Sequence, residues 1–315
     1  GIRAIILEGA AEKGKFYLMK ISKDGVSLVD AEEYKGMKNY DLLEKLYSVY
    51  DKKAALISIG IAGERGYLSS AITMTDKDGD TSRHAARGGL GAVMGSKGLK
   101  AIVVDDKGTD NLEMVDRDAY RKTVKAWGQL IKENPTTKGM ADQGTPMGIS
   151  ALRYLGSMPA LNFSAEQLAG TENLHGDNIK KVNEERGGKM DGCMPGCLVK
   201  CSIVFNDKNK KHVTSSYEYE TIALMGSNIG LTDLDVIALL DRLSDSIGID
   251  TIEVGAAMGL AASAGKMEMG NGDSALALLD EIEKGTDLGV ALGNGVVATG
   301  KFLGIDRVPA YRGQA

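Results

Sequence analysis

All three cysteines of the 315-residue chain fall within one nine-residue stretch, Cys193-Met-Pro-Gly-Cys197-Leu-Val-Lys-Cys201. An odd number of cysteines cannot form a closed disulfide framework, and a chain of this length does not need one. Ligation of a soft metal by thiolates is the chemistry that fits. The i, i+4, i+8 spacing would also suit three buried thiols on one helix face, but Pro195 and Gly196 interrupt such a helix. A structural zinc site takes four ligands, and His212, eleven residues after Cys201, would complete a Cys3His set. An iron–sulfur cluster also wants a fourth ligand, which can lie far away in sequence. The spacing differs by one residue from the Cys-x3-Cys-x2-Cys of radical enzymes that use S-adenosylmethionine, and the strand–helix alternation of their barrel is missing. Cysteine chemistry alone leaves zinc and iron–sulfur both open.

The second chemically suggestive segment is Arg87-Gly-Gly-Leu-Gly-Ala-Val-Met-Gly-Ser-Lys97. Small residues permit close backbone approach, and a guanidinium beside free N–H groups at a helix start suits a phosphate. The order Gly95-Ser96-Lys97 breaks the Gly-Lys-Ser/Thr adjacency of a Walker A loop, and no strand leads directly into Gly88. A glycine-lined helix packed tightly on a sheet accounts for the segment equally well.

Short apolar or alternating runs predict strands at Ile2 to Glu8, Phe16 to Ile21, Val26 to Val29, Ala54 to Ile59 and Ala101 to Val104, with a helix near Tyr40 to Tyr50. From Asp116 the pattern becomes helical, over Asp116 to Lys132, Pro146 to Leu155, Tyr217 to Gly226, Asp233 to Ile247, Thr251 to Ala264 and Ser274 to Glu283. Thr232-Asp-Leu-Asp235 is a helix-start signal, and Gly248 and Gly265 are stops. The expected fold is α+β: a strand-rich N-terminal portion in residues 1–110, then a mainly α-helical domain in 111–315 that carries the cysteines. The boundary falls near Gly108 to Glu113.

Four segments now stand in order on this background: Arg87 to Lys97, Cys193 to Cys201, Glu218-Tyr-Glu-Thr221 and Asp245-Ser-Ile-Gly-Ile249. In that order they resemble the aldehyde ferredoxin oxidoreductases, tungsten enzymes with a bis-pterin cofactor. The resemblance implies a sheet-based cofactor platform followed by a helical domain. It also implies that the chain is a fragment, lacking an N-terminal segment and a C-terminal domain. Arg87, Gly88 and Gly89 would hold pterin phosphate and its bridging magnesium, as a guanidinium fork and unpaired amides can. Asp245, Gly248 and Ile249 would form a pterin-binding Asp-x-x-Gly turn, with Ile in place of Leu. Glu220 would be the carboxylate that moves protons during aldehyde oxidation, with Glu218 as its competitor; burial would raise the pKa of such a group. Cys193, Cys197 and Cys201 would be three of four ligands to a [4Fe-4S] cluster, although their first gap exceeds by one residue the Cys-x2-Cys-x3-Cys of several members.

The activity so implied is oxidation of a small aldehyde to a carboxylic acid at a tungsten or molybdenum pterin, with electrons passing through the cluster to ferredoxin. By itself this stretch is expected to be inactive and to bind neither cofactor stoichiometrically. Glu172-Asn-Leu-His175 has the Glu-x-x-His spelling with which some members bind a metal at a dimer interface, but it lies upstream of the cysteines and reads as a loop; a homodimer remains an open expectation. The alternative from another class is a non-catalytic helical binding module stapled by zinc through the cysteines and His212.

Composition sets the outer bounds. With 43% hydrophobic and 26% charged residues the chain is globular, and a net charge of −5 argues against nucleic acid. Neither a membrane-length apolar run nor a secretory leader is found, so a cytoplasmic location is the expectation.

Overall fold

The computed structural model describes residues 4–109 and 113–315. The first part comprises β1 (Tyr17–Ser22), β2 (Gly25–Asp30), α1 (Asn39–Tyr47), β3 (Ala55–Ser58), α2 (Ile61–Glu64), β4 (Ile72–Thr75), β5 (Thr81–Ala85), α3 (Leu90–Ser96) and β6 (Leu99–Val104). Six strands form one sheet in the order β2-β1-β6-β3-β4-β5, in which β1 and β6 run parallel and the other neighbours antiparallel. β6 is central because Leu99, Ala101, Ile102 and Val103 fill both of its faces. Its one charged residue, Lys100, is fully buried; it pairs with Glu64 and donates to the carbonyls of Met37 and Ile59, each at 2.8 Å. Leu42 and Leu46 of α1 cover this core together with Leu18, Leu56 and Val103.

The second part begins with α4 (Arg117–Glu133), α5 (Pro135–Gln143), α6 (Ile149–Tyr154) and α7 (Gly176–Glu185). A small antiparallel sheet follows, built from β7 (Lys189–Asp191), β8 (Ser202–Asn206) and β9 (His212–Thr214). The chain then runs through α8 (Tyr219–Leu224), α9 (Leu234–Ile247), α10 (Thr251–Ser263), α11 (Gly272–Lys284), α12 (Asp287–Gly293) and α13 (Val296–Leu303). α10 is the hub, since Val254, Ala257, Met258 and Ala261 are wholly buried and a helix apolar all round belongs in a core. α9 starts where the Asp233 carboxylate caps the N–H groups of Asp235 and Val236, and it stops at Gly248, whose φ of 81° suits glycine. Among the described residues no single helix is long and apolar enough to cross a membrane.

The α+β class stands, with corrections in detail. Of the strand expected at Ile2 to Glu8, residues 2 and 3 lie outside the described residues, and residues 4–8 form no strand: Leu7 packs on the core while Ile5 and Ile6 stay exposed. The expected boundary at Gly108 to Glu113 includes residues 110–112, which also lie outside the described residues. β4, β5 and the three-stranded sheet are additions that the sequence patterns do not predict.

Candidate functional site

The three cysteines occupy a hairpin loop. β7 and β8 pair with Asp191 opposite Ser202, which closes the loop at its base, so the thiols project from a tether and not from a helix face. Cys193 and Cys197 lie within side-chain hydrogen-bonding reach of each other. The backbone N–H of Lys200 lowers the Cys197 pKa, whereas burial raises that of Cys201.

Arg83 of β5 ties this hairpin to the large sheet. Its guanidinium donates to Ser202 Oγ at 2.9 Å and to the Ser215 carbonyl at 2.8 Å. Its neighbour His84 is paired across the sheet with Thr73 and brings its Nε2 to 3.4 Å from Asp245 Oδ1. That contact lacks hydrogen-bond geometry, and His84 Nε2 is a buried polar atom without a partner. Burial, reinforced by the charge of Arg83, lowers the His84 pKa to about 4, so the ring is neutral at neutral pH and the contact is not an ion pair.

Asp245 comes from the last turn of α9, where the protein fixes it from several sides. Asn39, buried at the start of α1, donates to the Asp245 carbonyl at 2.8 Å and to Thr73 Oγ1 at 2.9 Å, and accepts from Ser58 at 3.0 Å. The turn after Asp245 is sewn to the large sheet through Ala71 N–H to Gly248 O at 2.9 Å and Asp250 N–H to Ser69 O at 2.8 Å. A Cβ on Gly60 would fall 2.1 Å from the Ile247 carbonyl oxygen, so only glycine allows this approach. Burial pushes the Asp245 pKa up to about 7, against the opposing effect of the Ser216 hydroxyl. One turn earlier Asp241 is raised well above the ordinary carboxylate range, by burial and then by the charge of Asp245.

These elements surround a cavity of about 510 Å³ between the large sheet and the helical part. Arg83, His84 and Arg87 line one wall, Cys193 and Cys201 the second, Glu218 and Glu220 the third, and Asp241, Asp245 and Ile249 the fourth. The candidates Arg87, Glu220, Asp245, Ile249, Cys193 and Cys201 therefore share one concavity. Gly88, Gly89, Gly248 and Cys197 are not in its walls. Gly248 packs against Gly60 and Asn39, and Gly89 turns the chain into α3 with a φ of 69°. Further along that helix, a Cβ on Gly91 would sit 2.5 Å from Ala71 O and one on Gly95 2.1 Å from Gly63 O, which is the tight packing the glycine run allows.

Arg87 is already engaged by carboxylates, with Nε 3.4 Å from Asp250 and a terminal nitrogen 3.8 Å from Glu253; it also donates to the Ala315 carbonyl at 2.8 Å. The expectation of a buried carboxylate is met by Glu218 and not by Glu220. Glu218 accepts from Thr145 Oγ1 at 2.8 Å and has its pKa raised by burial, while Glu220 is exposed at the rim. His212 bonds Ser215 Oγ at 2.8 Å and lies 3.8 Å from Asp80. Among the described residues no group of three His, Cys, Asp or Glu side chains is arranged to hold a metal ion, which holds for the three cysteines by themselves as it does for a Cys3His set. Glu172 pairs with Arg153 on a short turn before α7, as a loop residue would.

Sequence reasoning passed over Asn39, Arg83, His84, Ser216, Asp241 and Asp250. Only Asp241 carried a signal, its four-residue spacing from Asp245, which places both on one helix face.

Residues 1–106 match the family model "Aldehyde ferredoxin oxidoreductase, N-terminal domain", and residues 122–313 match "Aldehyde ferredoxin oxidoreductase, domains 2 & 3". A tungsten-containing aldehyde ferredoxin oxidoreductase of Pyrococcus furiosus is 28% identical over 263 residues, which cover 83% of this chain and 41% of that protein. An aliphatic sulfonate oxidoreductase, WOR-like subunit, of the same organism is 31% identical over 280 residues, 83% of this chain and 42% of that one. The chain thus spans about 41% of the length of the first of these relatives. The active-site complex BamBC of benzoyl coenzyme A reductase, solved with 1,5-dienoyl-CoA, has the same fold over 92% of this chain and 46% of its own, with a TM-score of 0.71 at 21% identity.

Proposed function

Because the chain belongs to the aldehyde ferredoxin oxidoreductase family, we propose that it forms part of an enzyme that oxidises a small aldehyde to a carboxylic acid at a tungstopterin, with electrons leaving through a [4Fe-4S] cluster to ferredoxin. The observation that supports this most is the single cavity bringing Arg87, Glu220 and Asp245 beside Cys193 and Cys201. The donor set fits a pterin: His84 Nε2 and Arg83 Nε are buried without partners, and the Asp245 carboxyl group, one oxygen of which accepts from Ser216, lines the same cavity. Arg87 and the Gly88-Gly89 turn would hold phosphate and its magnesium, and the turn Asp245 to Ile249 the pterin edge. The thiols of Cys193, Cys197 and Cys201 have the chemistry of cluster ligands. When bound, the metal centre supplies a two-electron acceptor and the cluster a one-electron exit.

The chain's own carboxyls carry the protons. Aldehyde plus water gives carboxylic acid, two electrons and two protons, so the cavity needs proton acceptors. Burial makes Glu218 hold a proton more tightly than an ordinary carboxyl, and Thr145 fixes its orientation. Glu220, exposed at the rim, takes the proton at the cavity and exchanges it with solvent. The test is anaerobic production of the full-length protein that contains this chain, in a host that makes tungstopterin, followed by an aldehyde panel read with a viologen dye. Glu220→Gln and Glu218→Gln should each lower turnover about 100-fold or more; unchanged turnover in both would refute the assignment.

A further inference from the structure

Asp241 is a buried acid that the proton account above leaves unused. It lines the same cavity as Asp245, one helical turn earlier on α9, and both are sealed from solvent. The Ser216 hydroxyl contacts an oxygen of each, Asp241 at 3.3 Å and Asp245 at 2.9 Å. A hydroxyl owns one hydrogen and donates it to one of them only. The other contact is a hydrogen bond only if a carboxyl O–H points at the serine oxygen, because the Thr214 hydrogen is already committed to Asp241. The oxygens are therefore one proton short if both acids are ionised.

No cation stands in for that proton. Arg83 of β5 is bonded to Ser202 and the Ser215 carbonyl, and Arg242 of α9 donates to the Val213 carbonyl and stacks on Tyr40 of α1. Asp80, in the turn before β5, adds negative charge, His84 is neutral, and Glu218 and Glu220 across the cavity are acids too. Two buried carboxylates in these surroundings repel each other, which favours a proton kept between them.

The pair also has an outlet. Thr221 lies within hydrogen-bonding reach of Asp241, and its hydroxyl is 2.8 Å from that of Thr251. Asp245, Ser216, Asp241, Thr221 and Thr251 all line the cavity, so their oxygens form one row along its wall, ending at the half-buried Thr251. We infer that Asp245, Ser216 and Asp241 act as one proton-accepting unit, which takes up the second of the two protons that aldehyde oxidation releases and passes it along this row to Thr251. The inference rests on the oxidation reading, in which Glu218 and Glu220 handle the first proton. Only O–H bonds change: Asp245 gains a proton and gives one to Ser216, Ser216 gives its own to Asp241, and Asp241 gives one through Thr221. Asp241 acts through Asp245 and is a positioning residue.

Infrared spectra of the full-length protein that contains this chain, free of cofactor and isotope-labelled in its aspartate carboxyls, read the proton directly. At about pH 8 the parent should show a protonated aspartate band that Asp241→Asn removes and Ser216→Ala shifts. At about pH 5 a further band should appear that Asp245→Asn removes. In the cofactor-loaded protein, Asp241→Asn and Ser216→Ala should each lower kcat about tenfold at unchanged KM and enlarge the solvent isotope effect, which a merely structural role would not do. Should Asp241→Asn fail to fold, Thr221→Val, which cuts the row one step further on, must give the same kinetic result. The inference is overturned if no aspartate is protonated at about pH 8, if the band survives Asp241→Asn, or if kcat and the isotope effect match the parent's in these variants. Since the spectra need no metal, their failure is distinct from failure of the oxidation reading, which the aldehyde panel decides.

Discussion

Asp241 and Asp245 stand one turn apart on α9, and the Ser216 hydroxyl lies between them, 3.3 Å from one carboxylate and 2.9 Å from the other. Thr214 donates a further bond to Asp241 at 2.6 Å. Both carboxyls are almost fully buried, and burial raises both pKa values. The unfolded chain releases these protons near the ordinary carboxylate pKa, while the folded chain retains them to higher pH. The stabilising contribution is therefore complete below about pH 4 and is lost as the pH rises toward the folded value, about 7 for Asp245. Urea unfolding should show stability from this pair declining between about pH 4 and 7, and Asp245→Asn should flatten the decline and stabilise the protein at pH 8 by about 2–4 kcal/mol. A variant whose pH profile matches the parent's would show that Asp245 is not held protonated.

Lys100 and Glu64 form a buried ion pair beneath the sheet, with Glu64 also accepting from Gly36 N–H at 2.9 Å. Lys100→Met removes the ammonium and leaves a carboxylate and two carbonyls without their donor. The expected cost is about 3–5 kcal/mol, measured by denaturant titration. Combining it with Glu64→Leu should recover part of that loss, because no buried charge then remains.

Gly60 and Gly95 are set against backbone oxygens that cannot move without moving an element. Alanine at either position should destabilise the fold by about 2–4 kcal/mol through overpacking. Gly66→Ala, at a φ of 70° with open space around it, should cost about 1 kcal/mol from backbone strain alone. Equal losses at Gly60 and Gly66 in chemical denaturation would contradict the close-approach account.

Asn39 joins the large sheet to the Asp245 turn. Asn39→Ala leaves the Asp245 carbonyl and Thr73 hydroxyl without this donor and should cost about 1–3 kcal/mol. Hydrogen exchange at Gly248 and Asp250 N–H should also quicken, since these amides lie in the segment Asn39 anchors.

The long periodic segments were readable: α9 and α10 appear within a residue or two of their expected bounds because cap and stop residues mark them. β4 and β5 were not, because Ile72-Thr-Met-Thr and Thr81-Ser-Arg-His-Ala are short and half polar; Ser82, Arg83 and His84 face the cavity, while Thr73 and Thr75 are taken up by Asn39 and the Leu56 N–H. The hairpin carrying the cysteines was hidden for a similar reason, since β7 has three residues and its pairing with β8 is a tertiary fact. Asp245, Arg87 and the cysteines were accessible through chemical type and order along the chain. His84 and Asn39 gain their roles only when the Asp245 turn docks on the sheet, 161 and 206 positions away along the chain.

Elemental analysis tests the central claim most directly. The chain, produced anaerobically in a host that makes tungstopterin and supplied with iron and tungstate, should carry both tungsten and iron at less than one full complement per chain. Cys197→Ser should lower the iron and Asp245→Ala the tungsten. A full equivalent of zinc, with neither iron nor tungsten, would contradict the account.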